Sequence, residues 1–398
     1  MARIFESCGG TINSTAVVQY HPAVPTNAIP SNRPYPTMKI GIIGLPSSGK
    51  TTLFNALTRG KAETGDFGGS RSANIGVAHV PDARVDRLTG IYKPKKTIYA
   101  EVTYVDLPGS ISGELFEGGV LSQLQQVDAI LLVAREFEDE SVPHMDGSVD
   151  YRRDIEKVAF DIIFADIALL ERRIERLTDG QNKMKVADRE QAVKNVETLK
   201  RLQTELEDGT AFRERELDDA ESKAISDTFT ISSLPLLVAL NIDENAIADT
   251  ASLEQELAGI LTGTSSGGAA ICGSLEAELV GMPAEEEAEM RAGLDAGESG
   301  LSRMIKLSYE VLGLNSFLTV GEDEVRAWTI SAGTLAPMAA GTVHSDIERG
   351  FIRAETVAYD DFIECGSMAE ARNRGQYRQE GRDYVIKDGD IVNFLFSV

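Results

Sequence analysis

The run GLPSSGKT, Gly44 to Thr51, satisfies the pattern GxxxxGK[ST] without a gap. In such a loop Gly44 and Gly49 let the backbone through Leu45, Pro46, Ser47, Ser48 and on to Thr52 curl its N–H groups around phosphate oxygens. Lys50 reaches the β and γ phosphates, Thr51 offers a hydroxyl to Mg²⁺, and the N-terminus of the following helix adds its dipole. Downstream, AEVTYVDLPG ends in Asp106 and Gly109, the DxxG spacing of a nucleotide-operated switch. There Asp106 would bind Mg²⁺ through water and the Gly109 N–H would sense the γ phosphate. Ser110 stands where a glutamine that orients water is usual.

A third stretch, LLVALNIDE, Leu236 to Glu244, bears on the base. Guanine readers carry Asn-Lys-x-Asp here, with the carboxylate accepting from N1–H and the 2-amino group. Glu244 is one methylene longer, and Ile242 cannot act as a cation. Adenine lacks the amino group and presents N1 as an acceptor, which a carboxylate repels. The residues therefore weaken guanine readout without establishing adenine readout.

These groups need elements to hold them. Ile40, Ile42 and Ile43 form a buried-strand signal before Gly44, while Leu53, Phe54 and Leu57 recur at helical spacing after Thr51. The order strand, loop, helix is the one a phosphate-binding loop requires. DAILLVA, Asp128 to Ala134, reads as another buried strand. Between it and LLVALN, one stripe of Ile155, Val158, Ile162, Leu169, Ile174 and Leu177 breaks at Thr178 to Asn182 and resumes with Val193, Val196, Leu199, Leu202 and Leu206. Two antiparallel helices follow, with charges such as Glu171, Arg172 and Glu175 on the solvated face or available to a large partner.

Composition bounds the function. The 398 residues are 42% apolar and 26% charged, the balance of a globular chain of several domains. Cys8, Cys272 and Cys365 have no metal-ligand spacing and fit a reducing cytoplasm. No apolar run spans a membrane. A formal charge of -24 argues against direct DNA binding, which needs clustered cations. Residues 1–37 hold five of the 13 prolines and little periodicity, so a flexible extension is expected, with Met38 opening the fold.

From Met38 to Val398 the sequence resembles the Obg-like ATPase family, also called YchF, of the translation-factor class of P-loop GTPases. The resemblance rests on NIGVAHVPDARVDRL, IYKPKK, CGSLEAEL and above all EVRAWTISAGTLAPMAAGTVHSDIERGFIRAETVAYDDF with EGRDYVIKDGDIVNFLFSV, which is similar to that family's TGS module. It implies an α/β fold in which a P-loop nucleotide-binding domain has a doubly wound, mostly parallel sheet. A helical coiled-coil hairpin interrupts that domain, and a ubiquitin-like β-grasp (TGS) domain closes the chain. The expected boundaries are an extension 1–37, the nucleotide domain 38–150 and 229–314, the insertion 151–228 and the TGS domain 315–398.

The resemblance also carries chemistry. In the family Asn-x-x-Glu replaces Asn-Lys-x-Asp and preference moves from GTP towards ATP, which makes Asn241, Ile242 and Glu244 the adenine side. Gly273 and Ser274 fall in the last base-proximal loop. A loop histidine replaces the catalytic glutamine, and FEDESVPHMDGSVD puts His144 there to join Lys50 in catalysis. An imidazole suits the task because its pKa lies near neutrality. The family's first switch is altered here: Ser70 is the nearest hydroxyl for the metal, with Thr64 the alternative. The second switch is shorter and has lost its lysines. The implied function is a switch that binds and slowly hydrolyses ATP, with Mg²⁺, on the ribosome or translation machinery. A GTP-preferring enzyme and a nucleotide-gated adaptor with negligible hydrolysis remain open alternatives.

Overall fold

Alternating apolar runs and amphipathic helices produce two sheets. The computed structural model describes residues 38–60, 73–107, 120–180, 185–261, 263 and 265–397. The extension 1–37 and the expected switch residues Thr64, Ser70, Gly109 and Ser110 lie outside them. The strands in chain order are β1 (Lys39–Ile43), β2 (Asn74–His79), β3 (Lys96–Ile98), β4 (Glu101–Asp106), β5 (Ala129–Glu136) and β6 (Leu236–Ile242). There follow β7 (Ser266–Ile271), β8 (Leu314–Thr319), β9 (Glu324–Ser331), β10 (Phe351–Ala358), β11 (Arg378–Glu380) and β12 (Asp390–Phe396).

The first sheet runs β2-β4-β1-β5-β6-β7. All its pairings are parallel except that of β2 with β4. Central strands of this kind are buried on both faces, which explains the near-continuous apolar runs Ala129–Ala134 and Leu236–Leu240. Alternate residues feed opposite layers. Ile40, Ile42, Leu131, Val133, Leu237 and Ala239 face Leu53, Phe54 and Leu57 of the helix Lys50–Thr58 and Met304 and Ile305 of the helix Gly300–Val311. Ile43, Ile130, Leu132, Val238 and Leu240 face Ile155, Val158 and Ile162 of the helix Tyr151–Gly180. Each fully buried aliphatic side chain of these layers contributes roughly 1.5–3 kcal/mol relative to exposure. This is the doubly wound arrangement expected.

Helices Tyr151–Gly180 and Val186–Glu207 form the predicted hairpin. Its seam differs in detail from the apolar stripe. Leu170 is fully buried where Leu169 was expected, and Val193 is 39% exposed while its neighbour Ala192 is buried. A helix of 3.6 residues per turn drifts against any shorter apolar repeat, so neighbouring positions exchange the seam over several turns. At the root of the hairpin buried Asp166 accepts from the backbone N–H groups of Ile231 and Ser232 at 2.8 and 2.7 Å. Burial pushes its carboxyl up despite those bonds.

The second sheet runs β11-β10-β12-β8-β9-β3. Its first and last C-terminal strands, β8 and β12, lie parallel at the centre, and the helix Ala336–Val343 packs across it over Phe317, Ile330, Phe351 and Phe394. Trp328 stacks on Phe317 with ring centres 6.2 Å apart, and its Nε1 donates to Thr319 Oγ1. That is a packing role. The β-grasp expectation holds with one addition: β3, from the nucleotide-domain side of the chain, pairs in parallel with β9, Lys96 opposite Glu324 and Ile98 opposite Arg326. Arg84 Nη1 also donates to Asp388 Oδ2 at 2.6 Å. A boundary at residue 315 therefore does not separate the two sheets.

Candidate functional site

The site forms at the C-terminal rim of β1, where the strand order changes direction between β4 and β5, the usual ligand crevice of such sheets. β1 ends at Ile43 and the helix begins at Lys50, so Gly44–Gly49 is the loop between them. Its two glycines are required by close approach. A Cβ on Gly44 would lie 2.5 Å from the Val133 carbonyl oxygen, and one on Gly49 would lie 2.2 Å from Asn241 Nδ2, at a left-handed φ of 90°. The loop leads directly into the first turn of the helix Lys50–Thr58. Lys50 Nζ donates to the carbonyls of Gly44 and Leu45 at 3.1 and 2.8 Å, which holds the ammonium at the loop mouth.

The metal side converges as the spacing requires. Ile42 of β1 is in register with Asp106 of β4, which brings Thr51 Oγ1 to 3.1 Å from Asp106 Oδ2. Asn74 Nδ2, on the edge strand β2, reaches the same oxygen at 3.4 Å. A hydroxyl and a carboxylate are the hard oxygen donors that Mg²⁺ takes, so this pair fits the ion. Thr52 is half-buried one residue on, and Pro46 and Ser47 are half-exposed on the outer side of the loop.

On the base side Asn241 is buried and spans two loops. Its Nδ2 donates to the Ser48 carbonyl at 3.0 Å, and its Oδ1 accepts from the Gly273 N–H at 3.1 Å. A Cβ on Gly273 would fall 2.7 Å from that Oδ1, so glycine is needed there too. Both side-chain heteroatoms of Asn241 are thereby engaged, tying β6 to the loop Gly44–Gly49 and to the helix that opens at Gly273. Ile242 is only 3% exposed and belongs to the apolar layer with Cys272 and Leu275. The strand's alternation turns its side chain into that layer. Glu244 opens a short turn on the surface and is exposed, as is Ser274, whose Oγ lies 3.3 Å from Cys272 Sγ.

His144 is not gathered with Lys50, Thr51 and Asp106. Its Nδ1 accepts from the Asp146 N–H at 3.2 Å and its Nε2 faces Asp154 Oδ2 at 2.9 Å, with side chains of both residues 4% exposed. An occupied Nδ1 assigns the ring proton to Nε2, which donates to Asp154. Arg153 holds the other oxygen of Asp154 at 2.9 Å. The imidazole is thus stored at the foot of the helical hairpin. Sequence reasoning missed two features here: the bridging use of Asn241, and Arg135 near the end of β5, a cation 2% exposed directly after the apolar run Ala129–Ala134.

The YchF-GTPase C-terminal family model, described as a protein of unknown function (DUF933), matches residues 314–397, and the model described as a 50S ribosome-binding GTPase matches residues 39–165. The ribosome-binding ATPase YchF of Bacillus subtilis (strain 168) is 38% identical over 365 residues, which cover 90% of this chain and 99% of that protein. The protein of the same name from Escherichia coli O157:H7 is 36% identical over the same coverage. A solved structure of the Schizosaccharomyces pombe YchF GTPase superposes with a TM-score of 0.79 at 27% identity, covering 91% of this chain and 99% of that one. A phosphate loop, a paired threonine and aspartate, an asparagine hinge and a β-grasp domain in this order, with relatives matched over nearly their full length, place the chain in the YchF family.

Proposed function

We propose that the protein is a Mg²⁺-dependent nucleoside triphosphatase that prefers ATP to GTP, turns over slowly and associates with the ribosome in the cytoplasm. The observation that carries the nucleotide reading is the convergence of Thr51 and Asp106, 3.1 Å apart, beside a glycine-shaped loop closed by Lys50. The loop from Gly44 to Thr52 binds the phosphates, and Lys50 stabilises charge that develops on the transferred group. Thr51 and Asp106 would hold the ion, with Ser70 proposed as the ligand from the first switch and Gly109 as the γ-phosphate contact. When bound, Mg²⁺ would supply neutralisation of phosphate charge. Asn241, Gly273, Ser274 and Glu244 shape the base side, with Ile242 packing beneath it. The names of the bacterial relatives support the ATPase and ribosome assignments. Among the described residues no helix is long and apolar enough to cross a membrane. With a formal charge of -24, ribosome docking would rest on shaped surfaces of the hairpin and the β-grasp domain. The proposed domain division keeps 38–150 with 229–314 as the nucleotide unit, save that β3 within it joins the sheet of 315–398, and 151–228 and 315–398 as docking units.

Equilibrium titration of the pure protein with ATP and GTP, with and without Mg²⁺, tests this reading. ATP binding at least as tight as GTP, and dependent on the ion, is expected. A tenfold preference for GTP would overturn the base assignment.

A second reading, a nucleotide-gated adaptor with negligible hydrolysis, is not favoured by relatives named as ATPases, although the proposed catalytic imidazole is engaged by Asp154. Single-turnover hydrolysis separates the two readings. Ribosome co-sedimentation that is stronger with a non-hydrolysable ATP analogue than with ADP is expected under both.

A further inference from the structure

Arg135 continues a stripe of side chains that faces the phosphate-loop helix. β5 sends Leu131 and Val133 into that layer, and strand alternation sends Arg135 the same way. β6 does likewise with Leu237, Ala239 and Asn241, and the two strands are in register with Arg135 beside Asn241. Asn241 is the residue that grips the loop at Ser48. Arg135 therefore stands at the rim of the same crevice, one strand over from the base-side hinge.

Its guanidinium is fixed in one orientation. Nε donates to the Phe137 carbonyl at 2.9 Å, and the guanidinium carbon lies 4.5 Å from the centre of the Phe137 ring. Nη1 is buried with no hydrogen-bond partner, and so is the hydroxyl of Ser48 on the other side of Asn241. A buried donor without an acceptor is costly, so Nη1 calls for a partner. Both atoms belong to residues that meet Asn241, Ser48 through its carbonyl and Arg135 through the strand register.

We propose that Arg135 binds the nucleotide directly, with Nη1 donating to an acceptor on the base-and-ribose half of a purine nucleotide. The phosphate half is already served by the loop N–H groups and Lys50, whereas the neighbour of Arg135 is Asn241. This inference deepens the nucleotide reading above and rests on it. Because the guanidinium is held by Phe137 before any ligand arrives, little ordering is required on binding.

The test compares the full-length protein with its Arg135→Met and Arg135→Lys variants, titrated with ADP and with ATP, alongside thermal melts without nucleotide. Arg135→Met should weaken both nucleotides by the same factor, about tenfold or more, the scale of one hydrogen bond to a charged group. Its melting temperature without nucleotide should change little, because removing the unpartnered Nη1 donor offsets the lost bond to the Phe137 carbonyl. Arg135→Lys keeps the charge and loses the fork, so its affinities should fall between the two. Unchanged affinities in Arg135→Met overturn the proposal. So does a loss confined to ATP, which would place Arg135 at the γ phosphate. If Arg135→Met fails to fold, unchanged affinities in Arg135→Lys overturn it as well. Wild-type protein that binds neither nucleotide would instead sink the nucleotide reading itself.

Discussion

Asn241 Nδ2 lies 3.0 Å from the carbonyl oxygen of Ser48 and so ties the end of β6 to the phosphate loop. With Oδ1 engaged by Gly273, the residue acts as a hinge pin between two loops. Asn241→Asp keeps the shape but cannot donate to Ser48 and places a carboxylate against its carbonyl. Affinity for ATP and GTP should fall together, by about tenfold or more, with their ratio unchanged. A changed ratio in paired titrations would instead make Asn241 a base reader.

His144 should matter to turnover more than to binding. His144→Ala is expected to lower kcat by about a hundredfold or less, at the lower end of general acid–base effects, with ATP affinity intact. The variant also leaves Asp154 Oδ2 without its imidazole, so the melting temperature should drop as well. Equal single-turnover rates in the variant and wild type would assign the pair to structure alone.

Glu221 makes part of the insertion sensitive to acid. Hydrogen bonding from Arg215, first among its causes, holds its carboxyl below the usual range, although burial opposes this. A depressed folded-state pKa means that the unfolded chain binds the proton more readily. The stabilisation is thus present above the ordinary carboxylate range and is lost as pH falls through the folded value. Glu221→Gln should flatten the acid limb of a melting-temperature profile below about pH 4.5 and leave its slope near neutrality unchanged. An identical acid limb in both proteins would count against the pair.

Arg84 and Asp388 should be energetically coupled across 304 residues of sequence. Their side chains are 27% and 49% exposed, so solvent screens the pair. A cycle of Arg84→Met and Asp388→Asn, which keeps an acceptor for the Ser316 N–H, should give a coupling of about 0.5–1 kcal/mol in urea unfolding. Strictly additive losses would show that the contact contributes nothing.

Local patterns made much of this legible. The loop Gly44–Thr51 is contiguous and flanked by strand and helix signals, and Asp106 ends a strand, so its meeting with Thr51 follows from a parallel register. The helical hairpin was visible in its apolar period, though seam positions such as Leu170 and Ala192 depend on how two helices settle against each other. What stayed hidden depends on partners distant in sequence. Arg135 looks like the polar end of a strand until its neighbour Asn241 is known. The Asp154 partner of His144 belongs to the next helix, and only packing at the foot of that helix closes the pair. β3 is three residues long, with no periodicity to read, and its partner lies more than two hundred residues on.

That short strand has a consequence for how the chain is made and cut. β3 emerges from synthesis well before β9, so its backbone donors and acceptors must wait until the last part of the chain arrives. In the finished protein it caps the outer edge of the second sheet. A piece beginning at Leu314 would carry β9 with that edge uncovered, a ready template for pairing with another copy of itself. Self-association of such a piece would then reflect a missing cap, and the intact chain has already closed that route with residues drawn from its own first hundred.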